Sequence, residues 1–113
     1  MMNQATIYVG RNIGGRPTLS EDAVIDAYEA LAAPYGLTSA TFSSAQGVWR
    51  SPETGKVERE RSVRIELLSD SQTFERDVNA IAAGLAAELR QEAVLVSVAT
   101  ANATFATPVQ VAA

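Results

Sequence analysis

The chain has 113 residues, 47% of them apolar and 19% charged, with a net charge of −4 and neither cysteine nor histidine. That size supports one domain over residues 1–113 with a single core, and no apolar run approaches the ~18 residues that a membrane-spanning helix requires. The missing residue types exclude an imidazole base, Ser-His-Asp and Cys-His nucleophiles, disulfides and the usual zinc sites, so no metal and no cofactor is expected. Acid and base chemistry falls to carboxylates, tyrosines or Lys56. Met1 to Ala5 carries no basic flank or apolar stretch of a signal peptide, which points to the cytoplasm.

Taken in chain order, Ala5 to Gly10 predicts a first strand, with Ile7 and Val9 on one face and Thr6 and Tyr8 on the other. Three glycines and a proline between Gly10 and Pro17 oppose regular structure there. Ser20 is placed to cap a helix, Glu21 and Asp22 suit its first turn, and Leu19 can staple to Val24. Val24, Tyr28 and Leu31 form one apolar stripe, and Pro34 and Gly36 end the helix. Phe42 to Arg50 and Val57 to Leu68 then read as the two strands of a hairpin around the turn residues 51–56. In the second strand Val63, Ile65 and Leu67 alternate with Ser62, Arg64 and Glu66, so a slip of one residue would put three aliphatics in water.

A second helix is expected from Asp70 or Ser71, with Phe74, Val78, Ile81, Ala82, Leu85 and Leu89 at helical spacing. Val94, Val96 and Val98 mark a last strand within 93–100. The tail 101–113 has no charge and carries Phe105, Val109 and Val111, which predicts an extra edge strand or a crossing onto a neighbouring subunit. The order strand, helix, strand, strand, helix, strand is the ferredoxin-like split βαβ arrangement, an α+β fold with a four-stranded antiparallel sheet and both helices on one face. Tyr8, Trp49 and Leu95 fall on the other face beside Arg64 and Glu66. That mixed surface suits self-association, so a homo-oligomer is expected.

Eight of the nine cations are Arg, a residue unsuited to base catalysis but matched to carboxylate and phosphate. The glycine-rich stretch carrying Arg11, Asn12 and Arg16 can aim backbone N–H groups at an anion. It matches neither the Walker A loop nor the dinucleotide fingerprint, and the plainer reading is a tight connection. Trp49, next to Gly47 and Arg50, offers a stacking surface, or else simply fills a core or interface. Glu58-Arg59-Glu60-Arg61 alternates in sign, so the two acids share one face and the two arginines the other. Both helical segments are acidic and the positive charge gathers at the loop and hairpin. The negative net charge argues against a duplex nucleic-acid partner and leaves room for a small anion in a local arginine pocket.

Gly10-Arg11, Gly47-Val48-Trp49-Arg50, Glu58 or Glu60, and Gln91-Glu92-Ala93-Val94 together resemble a domain-of-unknown-function family of small bacterial and phage proteins. The pattern is Gly-Arg, Gly-x-Trp, Glu and Gln-Glu-x-Val over nearly the whole chain. The resemblance implies no catalytic residue, because no activity comes with it. Two functional readings follow. The first is a non-enzymatic oligomeric binding module that holds a small anion, such as a nucleotide, with Arg11, Asn12, Arg16, Trp49, Arg50, Arg59 and Arg61. In a phage, it would sequester a host defence nucleotide. The second is a small cofactor-free enzyme of dimeric α+β barrel type, with Glu58 or Glu60 beside Tyr8 or Tyr28. A purely structural or protein-binding subunit is the remaining alternative.

Overall fold

The computed structural model describes residues 1–109. Its first strand, β1 (Met2–Gly10), buries Ala5, Ile7 and Val9 completely while the residues between them stay half-exposed, the period of two that the sequence shows. β4 (Thr41–Arg50) and β5 (Val57–Ser69) form the expected hairpin, and β6 (Leu95–Ala101) is the last strand. The sheet is antiparallel in the order β4-β5-β1-β6. Its register sets Ile7 between Ile65 and Val96, so the aliphatic rows of three strands meet on one face.

Two helices cover that face. In α1 (Glu21–Ala32) the Ser20 hydroxyl accepts from the Ala23 amide at 3.1 Å, the predicted cap. A short 3-10 turn through Pro34 then closes on Gly36 at φ 69°, a left-handed conformation that suits glycine. Tyr28 is fully buried against the sheet, edge-on to Phe42 with ring centroids 5.6 Å apart, and its hydroxyl donates to the Leu37 carbonyl at 2.6 Å. Burial pushes the Tyr28 phenol up to about 12. α2 (Phe74–Glu88) packs Phe74, Val78, Ile81 and Leu85 into the same core. Close approach of the helices needs Gly84, where a Cβ would stand 2.9 Å from Leu31 Cδ2.

Three local readings change. α2 begins at Phe74, later than Asp70 or Ser71, because hydroxyls hold residues 69–73 in a turn: Ser69 and Ser71 both accept backbone amides there. The stretch after Gly10 is more ordered than its glycines suggest. β2 (Asn12–Ile13) and β3 (Arg16–Pro17) pair as a minimal hairpin, with Gly14 and Gly15 at φ 60° and 79° supplying the left-handed two-residue turn. Residues 102–109 form no edge strand, and Phe105 and Val109 are exposed; Val111 lies outside the described residues. No helix among the described residues is long and apolar enough to cross a membrane.

Among the described residues, no helix covers the distal part of the β4–β5 hairpin. Val48 is 66% exposed on the same strand face that buries Val63 further in. The hairpin therefore projects as a bare two-stranded arm.

Candidate functional site

The strand register sorts the charged residues of the arm by face. Trp49 stands opposite Glu58, Gly47 opposite Glu60, and Tyr8 opposite both Arg64 and Leu95. All of these share the face that carries no helix. A groove of about 990 Å³ opens there, at the upper end of the range of roughly 300–1,000 Å³ usual for small-molecule sites. Trp49 and Tyr8 are its aromatic walls, and Val94 and Leu95 continue the lining. Its floor is the end of β1, and one rim is the small β2–β3 hairpin.

Glu60 is the most constrained acid of the groove. Gly47 gives it room on one side, and its carboxyl lies over Gly10 so closely that a Cβ at position 10 would overlap it. Burial holds the Glu60 carboxyl above the usual carboxylate range, and the negative charge of Glu58 adds to the shift. Gln91 closes this end: its Nε2 donates to the Asn12 carbonyl at 3.0 Å and the Leu89 carbonyl at 3.2 Å, tying the end of α2 to the β2–β3 rim. Its position depends on Arg90, which takes the left-handed conformation at φ 55°. Backbone bonds from Arg90 to Ala87 and from Gln91 to Ala86 complete the cap of α2. Glu53 and Glu92 also line the groove, so four carboxylates face one arginine, Arg90. Such a lining favours a cation and disfavours a phosphate.

The seven residues singled out from the sequence do not gather in one place. Asn12 and Trp49 line the groove. Arg11 and Arg61 line a smaller pocket on the opposite, helix-bearing side of the arm. Arg16 is exposed on β3. Arg50 donates to the Gly55 carbonyl at 2.7 Å and braces the arm's turn, and Arg59 is exposed opposite Val48. Tyr8, Glu58 and Glu60 of the enzyme reading do meet in the groove, whereas Tyr28 lies in the core with its hydroxyl already engaged. Gln91 and Glu92 entered the sequence reading only through a motif, since nothing in their spacing says that the end of α2 reaches the end of β1.

The chain is thus an α+β domain of ferredoxin-like fold whose helix-free sheet face carries a groove of ligand size. The chain belongs to the family described as protein of unknown function (DUF3574), whose model matches residues 4–105. Among solved structures it is similar to a phage SAM lyase in complex with S-methyl-5'-thioadenosine, at 28% identity and a TM-score of 0.79, over 87% of this chain and 80% of that one. It also shares its fold with the periplasmic divalent cation tolerance protein CutA of Archaeoglobus fulgidus, at 10% identity and a TM-score of 0.64, over 93% and 88% of the two chains. The GlnK–ATP complex of B. subtilis, at 16% identity and a TM-score of 0.51 over 87% and 81%, is a further fold relative. No curated protein matches the chain.

Proposed function

We propose that the chain binds an adenosine-bearing sulfur compound of the SAM type in the helix-free groove and acts on it as a cofactor-free lyase. The observation that carries this reading is the placement of Glu60, with its raised carboxyl affinity for protons, beside Glu58 and Trp49 in an acid-lined groove. The phage SAM lyase, similar over most of both chains, supports the ligand class. Trp49 offers its ring to adenine, and the carboxylates offset the positive charge of a sulfonium. A sulfonium carries its own neutral leaving group. As the bond from sulfur to the γ-carbon of the aminobutyryl chain of SAM breaks, its electron pair returns to sulfur and S-methyl-5'-thioadenosine leaves, while the adjacent β-carbon gives up a proton and that C–H pair becomes the double bond of the 2-aminobut-3-enoate released. Glu60 is suited to accept a proton in that step, since a carboxylate with raised pKa is a stronger base at neutral pH.

A phosphate-bearing nucleotide suits this groove less well, for it would bring further negative charge to four carboxylates. We further infer that the chain is a homo-oligomer. Leu95, in the groove wall, is 65% exposed, and the arm presents Val48 and Val57 to solvent, apolar area that a second copy would bury.

The test is to incubate the protein with SAM and measure S-methyl-5'-thioadenosine formed, with binding of both compounds followed by calorimetry. Glu60→Gln should lower turnover by about a hundredfold or more while binding of S-methyl-5'-thioadenosine changes little. SAM bound but never cleaved would reduce the function to a binding module. Failure of both compounds to bind would remove the proposal.

A further inference from the structure

The helix-bearing side of the arm holds a second cavity, of about 310 Å³, between the start of α1 and the edges of β1, β5 and β4. Two arginines line it, Arg61 from β5 and Arg11 from the connection just after β1, where the Arg11 amide donates to the Arg61 carbonyl at 3.0 Å. Two guanidinium groups on adjoining backbone segments repel unless an anion lies between them. Glu21 answers part of that need. Its carboxylate accepts from the Ser44 hydroxyl and lies 3.9 Å from Arg11 Nη1, while Arg11 Nε donates to the Leu19 carbonyl at 2.8 Å. Arg61 has no carboxylate at ion-pair distance among the described residues. The lining therefore carries two guanidinium groups against one carboxylate, and Gln46, directly across from Arg61, adds an amide donor.

We propose that this pocket is a second binding site, adjoining the groove through a shared wall, that takes a phosphate-sized oxyanion between Arg61 and Arg11. The guanidinium fork is matched to tetrahedral and planar oxyanions, and here one fork is already oriented by its hydrogen bond to the Leu19 carbonyl and its ion pair with Glu21. The N-terminus of α1 adds little, since the Ser20 hydroxyl already occupies the Ala23 amide. The site rests on the arginine pair. The two arginines stand on the opposite face of the β4–β5 sheet from Trp49 and Glu60 and line this pocket alone, while Ala45, Gln46 and Ser62 contribute to the walls of both cavities.

Inorganic phosphate titrated into the whole chain at constant ionic strength, with chloride as the control, tests this by backbone amide shifts. Saturable shifts at Arg11, Gln46 and Arg61 are expected, and Arg61→Gln should weaken phosphate about tenfold. Arg61 is exposed, so this variant keeps the fold, and its binding of S-methyl-5'-thioadenosine should match the wild type. A phosphate response no greater than that of chloride, or one unaltered by Arg61→Gln, would overturn the proposal while leaving the groove reading untouched.

Discussion

Gly10 and Glu60 form one unit although fifty positions separate them in the sequence. The overlap at a position-10 Cβ involves the far end of a flexible side chain, so Gly10→Ala should be tolerated by the fold while it displaces the carboxyl from the groove. The expected outcome is a melting temperature within a few degrees of wild type and a loss of groove binding or turnover of about tenfold or more. The raised proton affinity of Glu60 has its own stability signature. A carboxyl that holds its proton more tightly when folded contributes most below its unfolded pKa, and stability is lost as the pH rises through the folded value. Wild type should thus lose stability relative to Glu60→Gln as the pH rises above the ordinary carboxylate range, and thermal melts at a series of pH values check it. Equal pH profiles for the two proteins would mean that Glu60 is solvated like a surface acid. The sequence displayed Glu58 and Glu60 as a same-face pair but could not say which strand end would crowd one of them.

Among the elements, α2 and β5 were the most legible, because each repeats one period over enough residues to leave a single buried face. Phe74, Val78, Ile81 and Leu85 in the helix and Val63, Ile65 and Leu67 in the strand are all buried as their spacing requires. Element ends were harder to read. Residues 69–73 have hydroxyl side chains that bond locally, and the glycines after Gly10 permitted disorder yet build a paired turn. Helix–helix packing was legible only as a run of small residues, whereas the structure shows which one matters. At Gly84 a larger side chain meets Leu31, so Gly84→Val should cost about 1–3 kcal/mol through overpacking and lost helix propensity. Chemical denaturation measures this, and groove binding at saturating ligand should persist, since Gly84 does not line the groove. No loss of stability would show that α1 and α2 can part without penalty.

For the whole molecule, one sheet face is sealed by helices while the other is a mixed surface with Leu68 and Leu95 uncovered. If that surface is an interface between copies, the wild type should migrate as an oligomer in native mass spectrometry. Leu68→Glu, which lies outside the groove, should then shift it to monomer without unfolding it, because Leu68 is 45% exposed in the single chain. A monomeric wild type would end that inference. The sequence by itself determined the order of elements, the face each strand and helix buries, and hence the ferredoxin-like topology, because periodicity and turn chemistry are local properties of the chain. It also placed Trp49 and the two glutamates on one side of the hairpin. Only the tertiary structure decided that Arg11 shares a pocket with Arg61 and stands apart from Trp49, and that Gly10, Glu60 and Gln91 converge at one end of the groove. Those juxtapositions depend on how the end of β1 meets the arm and the end of α2, a long-range geometry that no local pattern of residues encodes.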